Sequence, residues 1–301
     1  MRMFNFNFAE VFSNMESQLL EKARSMEKMA DPKDIDKPIA QNIDVPEDNQ
    51  EDAENSDLPK NLDPNTVYEI DGNYYETDDN GNIYKTNGEL NPNTEYTVNG
   101  ITYKTDAQGR IVSWEGKPGY NPEAERDGEA QTEAGGEDRQ DGDDGGHLVA
   151  RVLDGSSGNE NIVPMRDTVN RGDYKKAENE IAKAKQEGKD VQDSGNIIYE
   201  GDSSRPSKIE RTYTIDGEKR ELKVDNVEGS QDLLEDVKDD ISEDDYENLE
   251  ERIEDMEADG SEVSVTSVYK KYDSEGNLVS VTVGLRDETN GTKTYITYDA
   301  K

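Results

Sequence analysis

Cysteine is absent from all 301 residues, and histidine and tryptophan occur once each. Without cysteine there is no disulfide, no thiolate zinc site and no cysteine nucleophile, and one histidine excludes every multi-histidine metal cage. Any metal is therefore expected to meet hard oxygen ligands. Hydrophobic residues are scarce too, at 30% against 35% charged. That is too little apolar material to bury the whole chain, so ordered modules separated by solvated segments are expected. No apolar run approaches bilayer length, which points to no membrane span. The opening MRMFNFNFAEVFSNMESQLLEKARSMEKMA lacks the continuous apolar stretch and the small-residue cleavage site of an ordinary Sec substrate.

Positive charge is the other shortage, with a formal net charge of −38. Phosphate binding usually leaves a basic footprint, so the total argues against a nucleic-acid partner. Its distribution weakens the objection. Residues 1–138 hold 12 basic against 31 acidic residues, residues 139–225 hold 15 against 19, and residues 226–301 hold 7 against 22. The middle segment is nearly neutral between two acidic flanks.

What is present is patterned. Phe8, Phe12, Met15, Leu19, Ala23 and Met26 recur at helical spacing and predict an amphipathic helix over residues 1–30. Residues 31–60 read as a disordered acidic linker. A 28-residue repeat follows in 61–117: Pro64, Tyr68, Gly72, Tyr75, Asp78 and Gly81 return as Pro92, Tyr96, Gly100, Tyr103, Asp106 and Gly109. Short strands joined by Asp-Gly and Asn-Gly turns are expected there, as a small tandem β module. TDDNGN resembles a calcium loop, but Asn87 stands where the bidentate carboxylate is needed, so turn chemistry is preferred.

Residues 118–138 read as a second linker. Beyond it, short apolar runs at His147–Leu153 and Asn161–Met165, a helical stretch Asp167–Glu187 and strands near Asn196–Glu200, Ile209–Ile215 and Arg220–Val224 predict an α+β block over 139–228. An acidic helical region occupies 229–260, with Leu233, Leu234, Val237, Ile241, Leu249 and Ile253 as its apolar seam. Its Tyr246 and Glu250 form a Tyr-x-x-x-Glu resembling a type VII export tail, a spacing that chance readily produces in so acidic a helix. Period-two alternation over 261–301 predicts a β meander.

The single histidine ends the run Asp144-Gly-Gly-His147. Asn161 and Pro164 follow, and then Asn170 with Glu178 eight residues later. This block resembles the DNA/RNA non-specific endonuclease family, the ββα-metal or His-Me finger nucleases, in the branch found in bacterial polymorphic toxins. The family's Asp-Arg-Gly-His is matched with Gly145 in place of arginine. The resemblance implies a ββα-metal nuclease core, with the tandem repeat before it and the acidic helices and meander after it. It implies one magnesium ion, bound directly by Asn170, and phosphodiester hydrolysis in DNA, with RNA as a second candidate substrate.

Imidazole titrates near neutral pH, so His147 is the expected general base. Glu178 is expected to act catalytically by orienting water, and Arg171 by replacing the missing arginine, a role for which Arg139 and Arg151 are the other candidates. Asp144 and Asn161 are expected to support the site, and Arg139 and Lys175 to bind the substrate backbone. The acidic flanks could occupy Arg171 or Lys175 and restrain the enzyme. The resemblance also implies a secreted effector, made in the cytoplasm and exported by a non-Sec route, with a cognate immunity protein as partner. Two other readings compete: a non-enzymatic extracellular binding protein built on the β repeat, and an acidic nucleic-acid mimic.

Overall fold

Paired residues with positive φ set the chain's first hairpins. Asp71 and Gly72 (52° and 78°) turn β1 (Val67–Ile70) into β2 (Asn73–Thr77), and Asn99 and Gly100 (54° and 75°) turn β5 (Glu95–Val98) into β6 (Ile101–Thr105). Two left-handed residues in a two-residue loop match the right-handed twist of the flanking strands. The computed structural model describes residues 61–124 and 128–301. The expected helix of residues 1–30 and linker of 31–60 lie outside them.

An aspartate closes the next turn of each repeat. Asp78 Oδ1 accepts the amides of Asn80 and Asn82 at 2.9 and 2.8 Å, and its Oδ2 accepts Thr97 N at 2.8 Å. Asp106 Oδ1 accepts Gln108 N and Arg110 N in the same way. The Asp78 carboxylate is engaged with backbone donors, the turn chemistry expected of these residues.

The two repeats join different sheets. The first forms a four-stranded sheet, β1-β2-β3-β4, with β3 at Ile83–Thr86 and β4 at Glu89–Leu90. The second, β5, β6 and β7 (Ile111–Gly116), is one end of a nine-stranded sheet. That sheet continues through β10 (Val191–Tyr199), β11 (Pro206–Ile215), β12 (Glu218–Asp225), β13 (Val263–Tyr272), β14 (Leu278–Asp287) and β15 (Lys293–Asp299), all paired antiparallel. The protein is thus mixed α and β, with strands dominating.

The expected borders at 117/118 and 228/229 therefore cut through one sheet. β7 pairs with β10 from Ser113↔Asn196 to Gly116↔Asp193, and β12 pairs with β13 from Arg220↔Lys271 to Val224↔Ser267. Hairpins 95–116 and 263–299 look self-sufficient in sequence, but their outer backbone groups need partners, and β10 and β12 provide them. Side chains reinforce the first joint. Gly195 on β10 has no room for a methyl, since a Cβ would stand 2.1 Å from the Trp114 indole and 2.4 Å from Glu210 O. Trp114 Nε1 donates to Asp193 Oδ2 at 3.2 Å, and Asp193 also receives Nε and Nη2 of Arg211 at 2.8 Å each, with both side chains of that ion pair fully buried.

Between β7 and β10 the chain forms α1 (Gly128–Glu133), the separate hairpin β8 (Asp143–His147) and β9 (Ile162–Arg166), α2 (Asp167–Asn170) and α3 (Asp173–Gln186). Tyr174, Ala177, Ile181 and Ala184, spaced three and four apart, bury one face of α3 in a core shared with Trp114, Ile209, Tyr213 and Leu222. Between β12 and β13 lie α4 (Glu235–Lys238) and α5 (Glu243–Glu257), the latter capped by Ser242, whose Oγ accepts Asp245 N at 3.1 Å. Leu233, Val237, Ile241, Leu249 and Ile253 pack there with Val263, Val281 and Leu285 in a second core. Tyr246 is buried in that core too, so the Tyr246/Glu250 pair does not present its tyrosine to solvent. Among the described residues no helix is long and apolar enough to cross a membrane.

Candidate active site

The two glycines before His147 are required by close packing. A Cβ on Gly145 would lie 2.3 Å from Gln131 O and 2.5 Å from its Cα, and one on Gly146 would lie 2.7 Å from the Met165 sulfur. Helix α1 therefore sits directly on β8, in the space that a side chain at position 145 would need. Arg139 fastens it there: Nη1 donates to Gln131 O at 2.7 Å and Thr132 O at 3.1 Å, and Nη2 to Asp143 O at 2.6 Å. Arg139 lines the cleft, and its Nη1 and Nη2 are turned to backbone carbonyls, so it clamps α1 to β8.

His147 closes β8, opposite Ile162 of β9, with 9% of its surface exposed. The Gln131 side-chain amide lies 3.5 Å from its Nδ1. The strand is anchored from outside by a buried bidentate pair, Arg205 Nε and Nη2 to Asp143 at 2.7 and 2.9 Å. The loop after the histidine is tied by Asn161, which is fully buried and lies outside the cleft. Its Oδ1 accepts Val149 N at 2.9 Å and the Tyr103 hydroxyl at 3.0 Å, while its Nδ2 donates to Val149 O at 2.8 Å and Ser156 O at 2.7 Å. Tyr174 of α3 donates its hydroxyl to Leu148 O at 2.8 Å. Asn161 thus supports the histidine loop by hydrogen bonding, and the second repeat helps through Tyr103.

The predicted single helix over Asp167–Glu187 is two helices. Gly172, at φ −97° and ψ −112°, breaks it, and a Cβ there would meet Thr168 O at 2.2 Å. The break separates Asn170, at the end of α2, from Glu178 in α3, yet both line one cleft with His147. Asp144 orients the amide of Asn170. Its carboxylate can only accept, so Nδ2 faces Asp144 Oδ2 at 3.0 Å and the amide oxygen turns elsewhere. Asp144 also takes Arg171 Nε at 2.8 Å and Nη2 at 2.6 Å. Partial burial would raise the Asp144 carboxyl, but the hydrogen bonds from Arg171 and Asn170 outweigh it and hold the group below the usual carboxylate range.

Glu178 shows the opposite balance. Burial raises its carboxyl above the ordinary value despite the opposing charges of Lys175 and Arg211. Lys175 Nζ donates to its Oε2 at 3.0 Å from a half-exposed position. Arg171 and Lys175 are thus engaged by Asp144 and Glu178, and among the described residues no carboxylate of the flanks pairs with either. The acidic segment after β12 pairs elsewhere, Asp232 with Lys208, Asp236 with Lys223 and Asp240 with Lys270.

The cleft measures about 670 Å³ and brings together Arg139, Asp144, His147, Asn170, Arg171, Lys175 and Glu178. Sequence reasoning missed Gln131 and Thr132, which line it together with Arg151, a candidate for replacing the missing arginine. The first two lie in a segment read as linker, and no local signal marks them. With Arg151 the cleft carries four cationic side chains against two carboxylates, inside a chain of net charge −38. Among the described residues no group of three or more carboxylate or histidine side chains could cage a metal ion. The donors that remain, the Asn170 amide oxygen and the Glu178 carboxylate, fit a small hard cation that keeps most of its water.

Residues 92–217 match the family model for DNA/RNA non-specific endonucleases. The chain is also similar to the Type VII secretion system protein EssD of Staphylococcus aureus, in strains USA300 and NCTC 8325 / PS 47, at 36% identity over 103 residues in each. The match covers 32% of this chain and 17% of those relatives. The family match begins in the second repeat and takes in β5 to β7, the α1 to α3 insertion and β10 and β11, the elements that build the cleft. Residues 92–217 of this chain are a domain of the DNA/RNA non-specific endonuclease family.

Proposed function

We propose that the chain is a magnesium-dependent, sequence-non-specific endonuclease that hydrolyses phosphodiester bonds of DNA, with RNA as a second substrate. The reading is carried by one observation: His147, Asn170 and Glu178 line a single cleft in which cationic side chains outnumber carboxylates. His147 is the general base. Its imidazole takes the proton from the attacking water. Asn170, through its amide oxygen, and Glu178, through hydrogen bonding, would hold one magnesium ion. When bound, that ion offsets the charge that develops on the phosphate and the leaving oxygen.

Arg171 adds fixed positive charge at the cleft mouth, oriented by Asp144. Lys175 and Arg151 extend that field along the substrate backbone, and Arg139 contributes charge while its donors hold α1. Among the described residues no Phe, Tyr or Trp side chain lines the cleft, so stacking of bases on such rings is not part of the binding, in keeping with indifference to sequence. By analogy with the secretion-system relatives, the chain is the toxin part of an effector exported by a non-Sec route, with an immunity protein as partner.

The test is a plasmid and RNA cleavage assay on the purified chain, with magnesium and with chelator. Cleavage is expected only with magnesium, and His147→Ala is expected to lower turnover by about 10²- to 10⁴-fold with an unchanged circular-dichroism spectrum. Cleavage by His147→Ala at the wild-type rate overturns the proposal.

A further inference from the structure

We propose that Lys293, on β15, is a positioning residue for the cation-binding amide of Asn170; the inference rests on the reading of the site given above. Lys293 lies beyond residue 217, where the match to the endonuclease family ends. It enters the argument through an unpaired carbonyl. In a continuous helix the Thr168 carbonyl would accept the amide of Gly172. The break at Gly172 removes that bond, because Gly172 N donates to Val169 O at 3.1 Å instead. A partly buried carbonyl, two residues before Asn170, then needs a donor from elsewhere.

Lys293 Nζ supplies it, donating to Thr168 O at 2.6 Å across 125 residues of sequence. The missing side chain at Gly172 is what admits the ammonium, since a Cβ there would stand 2.7 Å from Nζ. Two neighbouring contacts hold the same segment against the meander. Arg166 Nη2 meets Glu288 Oε1 at 2.9 Å, and Ser267 Oγ donates to Asp173 Oδ2 at 2.9 Å. The four-residue helix α2 is thus gripped before, within and after its length by residues outside the family match. Asn170, at its end, is aimed from one side by Asp144 and from the other by the turn that Lys293 secures.

A role confined to stability and a role in aiming Asn170 predict different measurements. Binding of Mn²⁺ to the full chain can be followed by electron paramagnetic resonance, and binding of Mg²⁺ by titration calorimetry, both without substrate. Lys293→Met is expected to raise the Mn²⁺ dissociation constant about tenfold, the scale seen when a residue supporting a metal ligand is lost. Lys293→Arg, which keeps a cationic donor, is expected to stay nearer the wild type. In the cleavage assay the Lys293→Met protein should need more magnesium for half-maximal rate and recover most of its turnover at saturation. Should Lys293→Met fail to fold, Lys293→Gln is compared with Lys293→Arg by the same readouts.

A Lys293→Met or Lys293→Gln protein that binds Mn²⁺ as tightly as the wild type overturns the inference, whatever its melting temperature. If that result comes with a wild type that binds the ion and cuts DNA, only the role of Lys293 falls. A wild type that binds neither Mn²⁺ nor Mg²⁺ overturns the metal assignment of the site and the inference together.

Discussion

The Tyr103 hydroxyl donates to Asn161 Oδ1 at 3.0 Å, and the same oxygen accepts the amide of Val149, two residues after His147. One buried amide therefore links the second repeat to the histidine loop. Replacing Tyr103 with Phe keeps the ring and its stacking on Tyr96 but removes the donor. A loss of about 1 kcal/mol is expected, seen as a drop of about 2–4 °C in the melting temperature. An unchanged melting curve would show that the bond contributes nothing to the folded state.

The sheet makes a second expectation concrete. A fragment of residues 118–228 lacks the strands that flank β10 and β12, and it is expected to remain unfolded, whereas residues 61–301 fold as the whole chain does. Amide-proton dispersion in one-dimensional NMR spectra decides the matter. A well-dispersed spectrum for the short fragment would contradict the continuity of the sheet.

Glu178 should act against stability while serving the site. Its carboxyl is raised by burial in the folded state, so the native protein binds the proton more readily than the unfolded chain does. Stability is then greatest below the unfolded value, about 4.3, and is lost as pH rises through the raised native value. Glu178→Gln is expected to melt higher than wild type at pH 7, with the gap closing as the pH is lowered toward 4, and to cut DNA more slowly. Lys175 loses its partner in this variant, but at its half-exposed position the cost is small. A variant that melts below wild type at pH 7 refutes this.

Gly195 is a packing prediction. A methyl at that position cannot coexist with the Trp114 indole at 2.1 Å and Glu210 O at 2.4 Å, so Gly195→Ala is expected to destabilise the protein by about 1–3 kcal/mol. Urea titration followed by the fluorescence of the single tryptophan would report both the lost stability and the displaced ring.

What was legible in the sequence was local. The turns at Asp71-Gly72 and Asn99-Gly100 followed from residue type, and α3 lies within the stretch read as helical. His147, Asn170 and Glu178 share a cleft because a hairpin and two short helices, consecutive in the chain, suffice to gather them. Contacts between distant segments were hidden. Nothing near Gly145 shows that α1 fills the space beside it, nothing near residue 117 shows that β7 will pair with β10, and nothing near Gly172 announces a lysine from β15. The predicted single helix failed for the same reason, since its break is tolerated only because remote groups satisfy the carbonyl that it exposes.

The contact between Lys293 and Thr168 also sets a clock on synthesis. At about 5–20 residues per second, a ribosome needs roughly 6–25 s to travel the 125 residues between them. Throughout that interval the turn beside Asn170 lacks its outside donor. The nascent chain therefore carries the turn beside Asn170 unsecured until β15 has been made.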